Sequence, residues 1–211
     1  FVVSASGGMS DSLLDYKKTA EPGVFALFSS GMSDDAWEKQ LNIVKMKMFD
    51  INRSLFNDDL ALAEANSFIE ERLQDAESCL ADLKSLCLHG HFSLESHLNS
   101  VKEMLACLGE VHSAYNMAKL LQLEGINACF VDLSGWRSEK HISLDERVVE
   151  AFKHIDLETT LPIVTGYAHS EYGLMSRFNR GYSEMTFSRI AVLTHAKEAV
   201  IHKEFHLSSA D

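Results

Sequence analysis

Between residues 35 and 125 apolar side chains recur at three- and four-residue steps, and after Ile126 the spacing changes to short apolar runs separated by amphipathic segments. In the first regime Trp37, Leu41, Val44, Met48, Ile51 and Leu55 share one helical face. Leu62, Ala65, Ile69, Leu73, Ala76, Leu80, Leu83 and Cys87 form a longer stripe that stops near Gly90. Ser93 reads as the cap of a third helix carrying Leu98, Val101, Met104 and Leu105, and Gly109 as the break that introduces a fourth, closed by Gly125. The second regime predicts strands over 126–131, 161–167 and 199–205, with helices over 145–155 and 184–196. The chain opens on a strand-like run, 1–5, then the turn Ser6-Gly7-Gly8-Met9-Ser10 and a helix over 11–18. Strand and helix in alternation predict an α/β fold with a mainly parallel sheet and helices on its faces, interrupted by a helical insertion. With two prolines, no Gly/Ser linker and no internal repeat, residues 1–211 read as one domain.

Charge narrows the function classes. Nineteen basic residues against 31 acidic ones give a formal net charge of −12, which argues against sequence-independent binding to nucleic acid or to an anionic membrane surface. An anionic substrate must then be held by a local cluster. The apolar runs are far shorter than the ~20 residues that span a bilayer, and no basic-then-apolar signal segment opens the chain, so the expected location is the cytoplasm. Cys79, Cys87, Cys107 and Cys129 lack close-pair spacing and read as reduced thiols.

One local cluster stands out. Residues 177–186, RFNRGYSEMT, place a cationic loop directly before a helix start, after the strand at 161–165, where open α/β sheets keep their ligands. Arg180 offers a fork of donors for a carboxylate or phosphate, Gly181 allows close backbone approach, and Ser183 reads as the cap of the helix beginning near Glu184. The competing reading is a surface loop with two arginines. The Gly7-Gly8 turn, between strand and helix, can likewise cradle an anion through its amides. The histidines of H-K-E-F-H, 202–206, lack the spacing of a zinc motif, and no metal ligand is assigned.

Four segments in order, VVSASGGMS at 2–10, GEVHS at 109–113, TGY at 165–167 and NRGYSE at 179–184, resemble the motifs of aspartate kinases across nearly the whole chain. Ser208-Ser209-Ala210-Asp211 looks like the start of that family's last motif. The segments 180–184 and 202–211 are similar to the branch associated with synthesis of the osmolyte ectoine. Tyr182 stands where the family has glycine, Glu184 where it has aspartate, Tyr167 where it has phenylalanine and Ser10 where it has threonine.

The resemblance implies the amino-acid kinase fold, a three-layer αβα sandwich, and ATP-dependent phosphorylation of the β-carboxylate of L-aspartate with Mg²⁺. It implies that a first strand carrying a lysine motif would precede Phe1 and that regulatory ACT domains would follow Asp211, with a homodimer in the complete protein and no activity in these 211 residues alone. By the same resemblance Glu110 takes the substrate ammonium and Arg180 the α-carboxylate. Ser10, Ser183 and Tyr167 shape the pocket, and Ser4 lies by the transferred phosphoryl group. Glu184 occupies the family's catalytic aspartate position, its extra methylene moving the carboxylate by about 1.5 Å. Gly7, Gly8, Lys203, Glu204 and Asp211 fall to the nucleotide. The acids have a plainer reading as helix-terminal residues favoured by the helix dipole. A differently specific or non-catalytic paralogue and a helical interaction module stay open as alternatives.

Overall fold

The computed structural model describes residues 1–15, 21–30, 35–177 and 181–202. In chain order its elements are β1 (Val2–Val3), α1 (Met9–Leu13), α2 (Val24–Ser29), α3 (Ala36–Leu55), α4 (Asp59–Cys87), a 3-10 turn (Leu94–His97), α5 (Leu98–Leu123), β2 (Ala128–Val131), α6 (Leu144–Phe152), β3 (Leu161–Thr165), α7 (Leu174–Arg177) and α8 (Tyr182–Leu193). The described fold is mostly helical around a small sheet of order β1-β3-β2, parallel throughout. The register sets Val2 beside Val164 and Val131 beside the same residue on the other side. A parallel neighbour needs a crossover, and α6 supplies it between β2 and β3.

The stripes read from the sequence supply the buried faces, except that Leu55 at the end of α3 is exposed. Trp37, Leu41, Val44 and Met48 of α3 and Ile69, Leu73, Ala76 and Leu80 of α4 meet Val101, Leu105 and Leu108 of α5 in one cluster. Farther along α5, Ala114 and Ala118 pack with Ala128 and Ile163 of the sheet, while Val131 and Val164 join Val148 of α6. Helix α5 is therefore buried on several sides. Local chemistry sets the helix starts: the Asp58 side chain accepts the Ala61 amide at 2.8 Å, and Ser143 with Glu146 forms a capping box.

Three expectations need correction. Gly109 does not break a helix; it lies inside α5, because a Cβ there would sit 2.9 Å from Ala5 Cβ and 3.2 Å from Met9 Cγ. Helix propensity is a weak preference, and tertiary close approach overrides it. Of the strand expected over 199–205, the described residues Ala199, Val200, Ile201 and His202 form no strand, and the rest lies outside the described residues. Ser93 leads into the 3-10 turn without a side-chain cap bond. Helix α2, after Pro22-Gly23, lay outside the periodic pattern altogether. The four thiols are free, and burial pushes the Cys107 thiol up. Among the described residues no helix is long and apolar enough to cross a membrane.

Candidate active site

The carboxyl ends of β1 and β3 lie side by side, and both chains leave the sheet toward a common point on α5. After β1 the chain runs through Ser4–Gly8 into α1, with Gly8 in the left-handed region at φ 75°. After β3 comes Gly166, where a Cβ would lie 3.0 Å from both the Ser183 side chain and the Val3 carbonyl. Gly109 and Gly166 are thus close-approach glycines that bring α1, α5 and α8 around one carboxyl group.

That group is Glu110, 2% exposed in the interior of α5. Its Oε1 accepts the Ser183 hydroxyl at 2.7 Å, and Oε2 has no partner among the described residues. Burial pushes its carboxyl up to about 8, against the Ser183 hydrogen bond and the Tyr167 backbone, with the Glu184 charge raising it further. The dipole reading of Glu110 fails, since it is nowhere near a helix end. The capping reading of Ser183 also fails: it lies inside the first turn of α8, whose N-cap is Gly181 at φ 82°, and its hydroxyl is spent on Glu110.

Glu110 opens onto a pocket of about 310 Å³ lined also by Ser4, Ser10, Asp11, Tyr182 and Ser183. Its described polar lining is acidic and hydroxylic, with no basic side chain, beside the apolar Ala5, Leu14 and Met175, so it suits the ammonium end of a small zwitterion. A buried carboxyl with an unused oxygen is costly unless something completes it. Glu184 is half-buried in the first turn of α8 with its carboxylate toward Gly181. Burial raises the Tyr182 phenol, with the charges of Glu110, Cys107 and Glu184 acting the same way and the Ser10 hydrogen bond opposing it. Gly7 and Gly8 are exposed, and a Cβ on either would meet nothing within 4 Å, so the turn faces open space able to admit a phosphate. Among the described residues no group of three or more His, Cys, Asp or Glu could hold a metal ion. A Mg²⁺ bound here would depend on the nucleotide phosphates for ligands.

The structure thus brings Ser4, Ser10, Glu110 and Ser183 together, with Gly7, Gly8 and Glu184 on adjoining turns. Tyr167 stands apart: its ring packs edge-on to Tyr182 at 5.9 Å, but its hydroxyl donates to Glu103 and faces another cavity. Arg180, Lys203, Glu204 and Asp211 lie outside the described residues. Two positioning features were not read from the sequence. The Ser6 amide donates to Ser113 Oγ at 3.0 Å, and that hydroxyl donates to the Gly109 carbonyl, which ties the glycine turn to α5. Glu103 is the other, 8% exposed and two turns from Glu110. Two acids seven residues apart in an otherwise apolar helical run were the available signal.

The model of the amino acid kinase family matches residues 1–206. The aspartate kinase Ask_Ect of Stutzerimonas stutzeri (strain A1501) is 48% identical over 211 residues, which is 100% of this chain and 44% of that protein. The chain spans less than half the length of that curated relative.

Proposed function

The chain belongs to the amino acid kinase family, and we propose that it carries the amino-acid-binding part of an ATP-dependent aspartate kinase, serving ectoine or aspartate-family synthesis. The observation that carries this reading is Glu110, a buried carboxyl with one unused oxygen in a hydroxyl-lined pocket, in a chain 48% identical to an aspartate kinase. In the proposed complex Glu110 pairs the substrate ammonium and Arg180 the α-carboxylate, leaving the β-carboxylate toward the Gly7-Gly8 turn and Ser4. Ser10 hydrogen-bonds the substrate, Ser183 holds Glu110 in place, the Tyr167 ring backs Tyr182 in the pocket wall, and Glu184 stands at the family's catalytic aspartate position.

The reaction needs no strong base, because a free aspartate side chain with pKa near ~3.9 is already ionised at neutral pH. Its oxygen attacks the γ-phosphorus, the bond to the β,γ-bridging oxygen breaks, and ADP departs; no proton need move. Positioning and charge neutralisation do the catalysis. The glycine-turn amides face the transferred group, and Lys203, Glu204 and Asp211 fall to the nucleotide in this reading. Mg²⁺, when bound with ATP, would neutralise phosphate charge. The full αβα sandwich, the cytoplasmic location and a homodimer in the complete protein belong to the same proposal.

A hydroxylamine trap for the acyl phosphate, run on the complete protein with L-aspartate, ATP and Mg²⁺, tests it. Hydroxamate formation from aspartate is expected. Formation from glutamate instead would favour a differently specific kinase, the reading to which Tyr182 in the pocket lends weight.

A further inference from the structure

A second cavity of about 840 Å³ lies between α4, α5 and the loops that follow β2 and β3. None of the described residues lining the amino-acid pocket lines this one as well. Its charges are unequal. Arg137 is engaged by Asp75 at 2.7 Å and Glu71 at 3.1 Å, and the Trp136 indole N–H donates to Asp75 at 2.9 Å, so the one guanidinium on the described wall is already neutralised; the other basic groups there are the imidazoles of His141 and His169, and burial makes the His169 ring harder to protonate. Asp82, Glu103 and Glu171 remain as acids. Such a wall repels phosphates and attracts cations.

The wall is also built with care that packing alone does not require. Ser134 is 7% exposed, and its Oγ has no hydrogen-bond partner among the described residues. The next residues turn sharply, with Gly135 at φ 71° and Arg137 at φ 54°, a strained conformation for a residue with a Cβ. A Cβ on Gly135 would lie 2.7 Å from the His169 side chain, so the turn is pressed against the opposite loop. Glu103 is immobilised from two directions, by the Tyr167 hydroxyl and by the Met175 amide at 3.0 Å. The cavity therefore combines a fixed acid, two exposed acids, an orphaned hydroxyl and an aromatic ring.

We propose that this cavity is a second ligand site, for a small organic cation bearing an ammonium group. Acids supply the charge, Trp136 an apolar flank, and Ser134 a hydrogen-bonding group for the ligand's polar end.

Calorimetric titration of the complete protein with 1,4-diaminobutane, at physiological salt to screen diffuse surface attraction, tests the proposal. Saturable one-to-one binding is expected, with 1,4-butanediol failing to bind. Asp82 and Glu171 are exposed, so the paired changes Asp82→Asn and Glu171→Gln leave the core alone, and they should weaken the diamine at least tenfold. Glu110→Gln should leave diamine binding unchanged, which separates this site from the amino-acid pocket and from the kinase reading. Absence of saturable binding, equal binding of the diol, an unaffected double variant, or loss in Glu110→Gln would each overturn it.

Discussion

Glu110 is pulled in opposite directions by folding and by function. Its carboxyl moves from an ordinary 4.5 to about 8 in the folded chain, so the folded state holds a proton more tightly than the unfolded one. Stability from this group is fully present below pH 4.5 and is lost as pH rises through about 8. At pH 7 the shift amounts to about 3 kcal/mol lost. Glu110→Gln, which mimics the protonated acid, should therefore stabilise the protein by roughly 2–3 kcal/mol at pH 7 and by little at pH 4.5. Urea unfolding at the two pH values measures this; an equal difference at both would mean that burial does not set the Glu110 titration. Function asks for the charge that folding penalises, and a substrate ammonium would supply the missing partner.

At the scale of elements, α5 organises the molecule, and two of its residues make the point. Gly109→Ala gains up to ~1 kcal/mol of helix propensity, yet its new methyl would meet Ala5 Cβ at 2.9 Å. Overpacking of that kind costs about 1–3 kcal/mol, so a net loss of about 1 kcal/mol is expected in chemical denaturation. His112, one turn from Ser113's partner Gly109, is 1% exposed and bonded through Nε2 to Asn52 Oδ1 at 2.7 Å. Burial lowers it from 6.5 to about 4, the Met48 backbone acting the other way. Here the folded state holds its proton less tightly, so stability is present above pH 6.5 and is lost as pH falls through about 4. The melting temperature should drop between pH 6.5 and 4, and His112→Gln should flatten that limb; an unchanged limb would assign acid lability elsewhere.

The same helix shows how far the sequence could be read. Its apolar steps and those of α3 and α4 were legible because a buried face repeats with the helix period, and the parallel sheet was legible from alternation. Gly109 was misread because its cause is Ala5, about a hundred residues away in the chain, and no local rule contains that contact. Ser183 was misread for the same reason: its partner Glu110 is 73 residues distant.

For the whole molecule, described residues of three of the four motif segments meet at one pocket, and the physics of the site adds what the motifs lacked. Ser4, Ser10, Glu110 and Ser183 line one pocket, although they come from three separate parts of the chain. Tyr167, Glu103 and the larger cavity could not be placed without the fold, because neither periodicity nor motif spacing says which side of a strand end a ring will occupy. The central claim is that a buried, protonated Glu110 ionises to receive the ammonium of the amino-acid substrate. Calorimetric titration of the complete protein with L-aspartate at pH 7, repeated in buffers of different ionisation enthalpy, counts the protons exchanged. With its carboxyl raised to about 8, Glu110 should release close to one proton on binding, and Glu110→Gln should bind more weakly and release none. Proton-neutral binding by the unaltered protein, or the same release from the variant, would contradict the account.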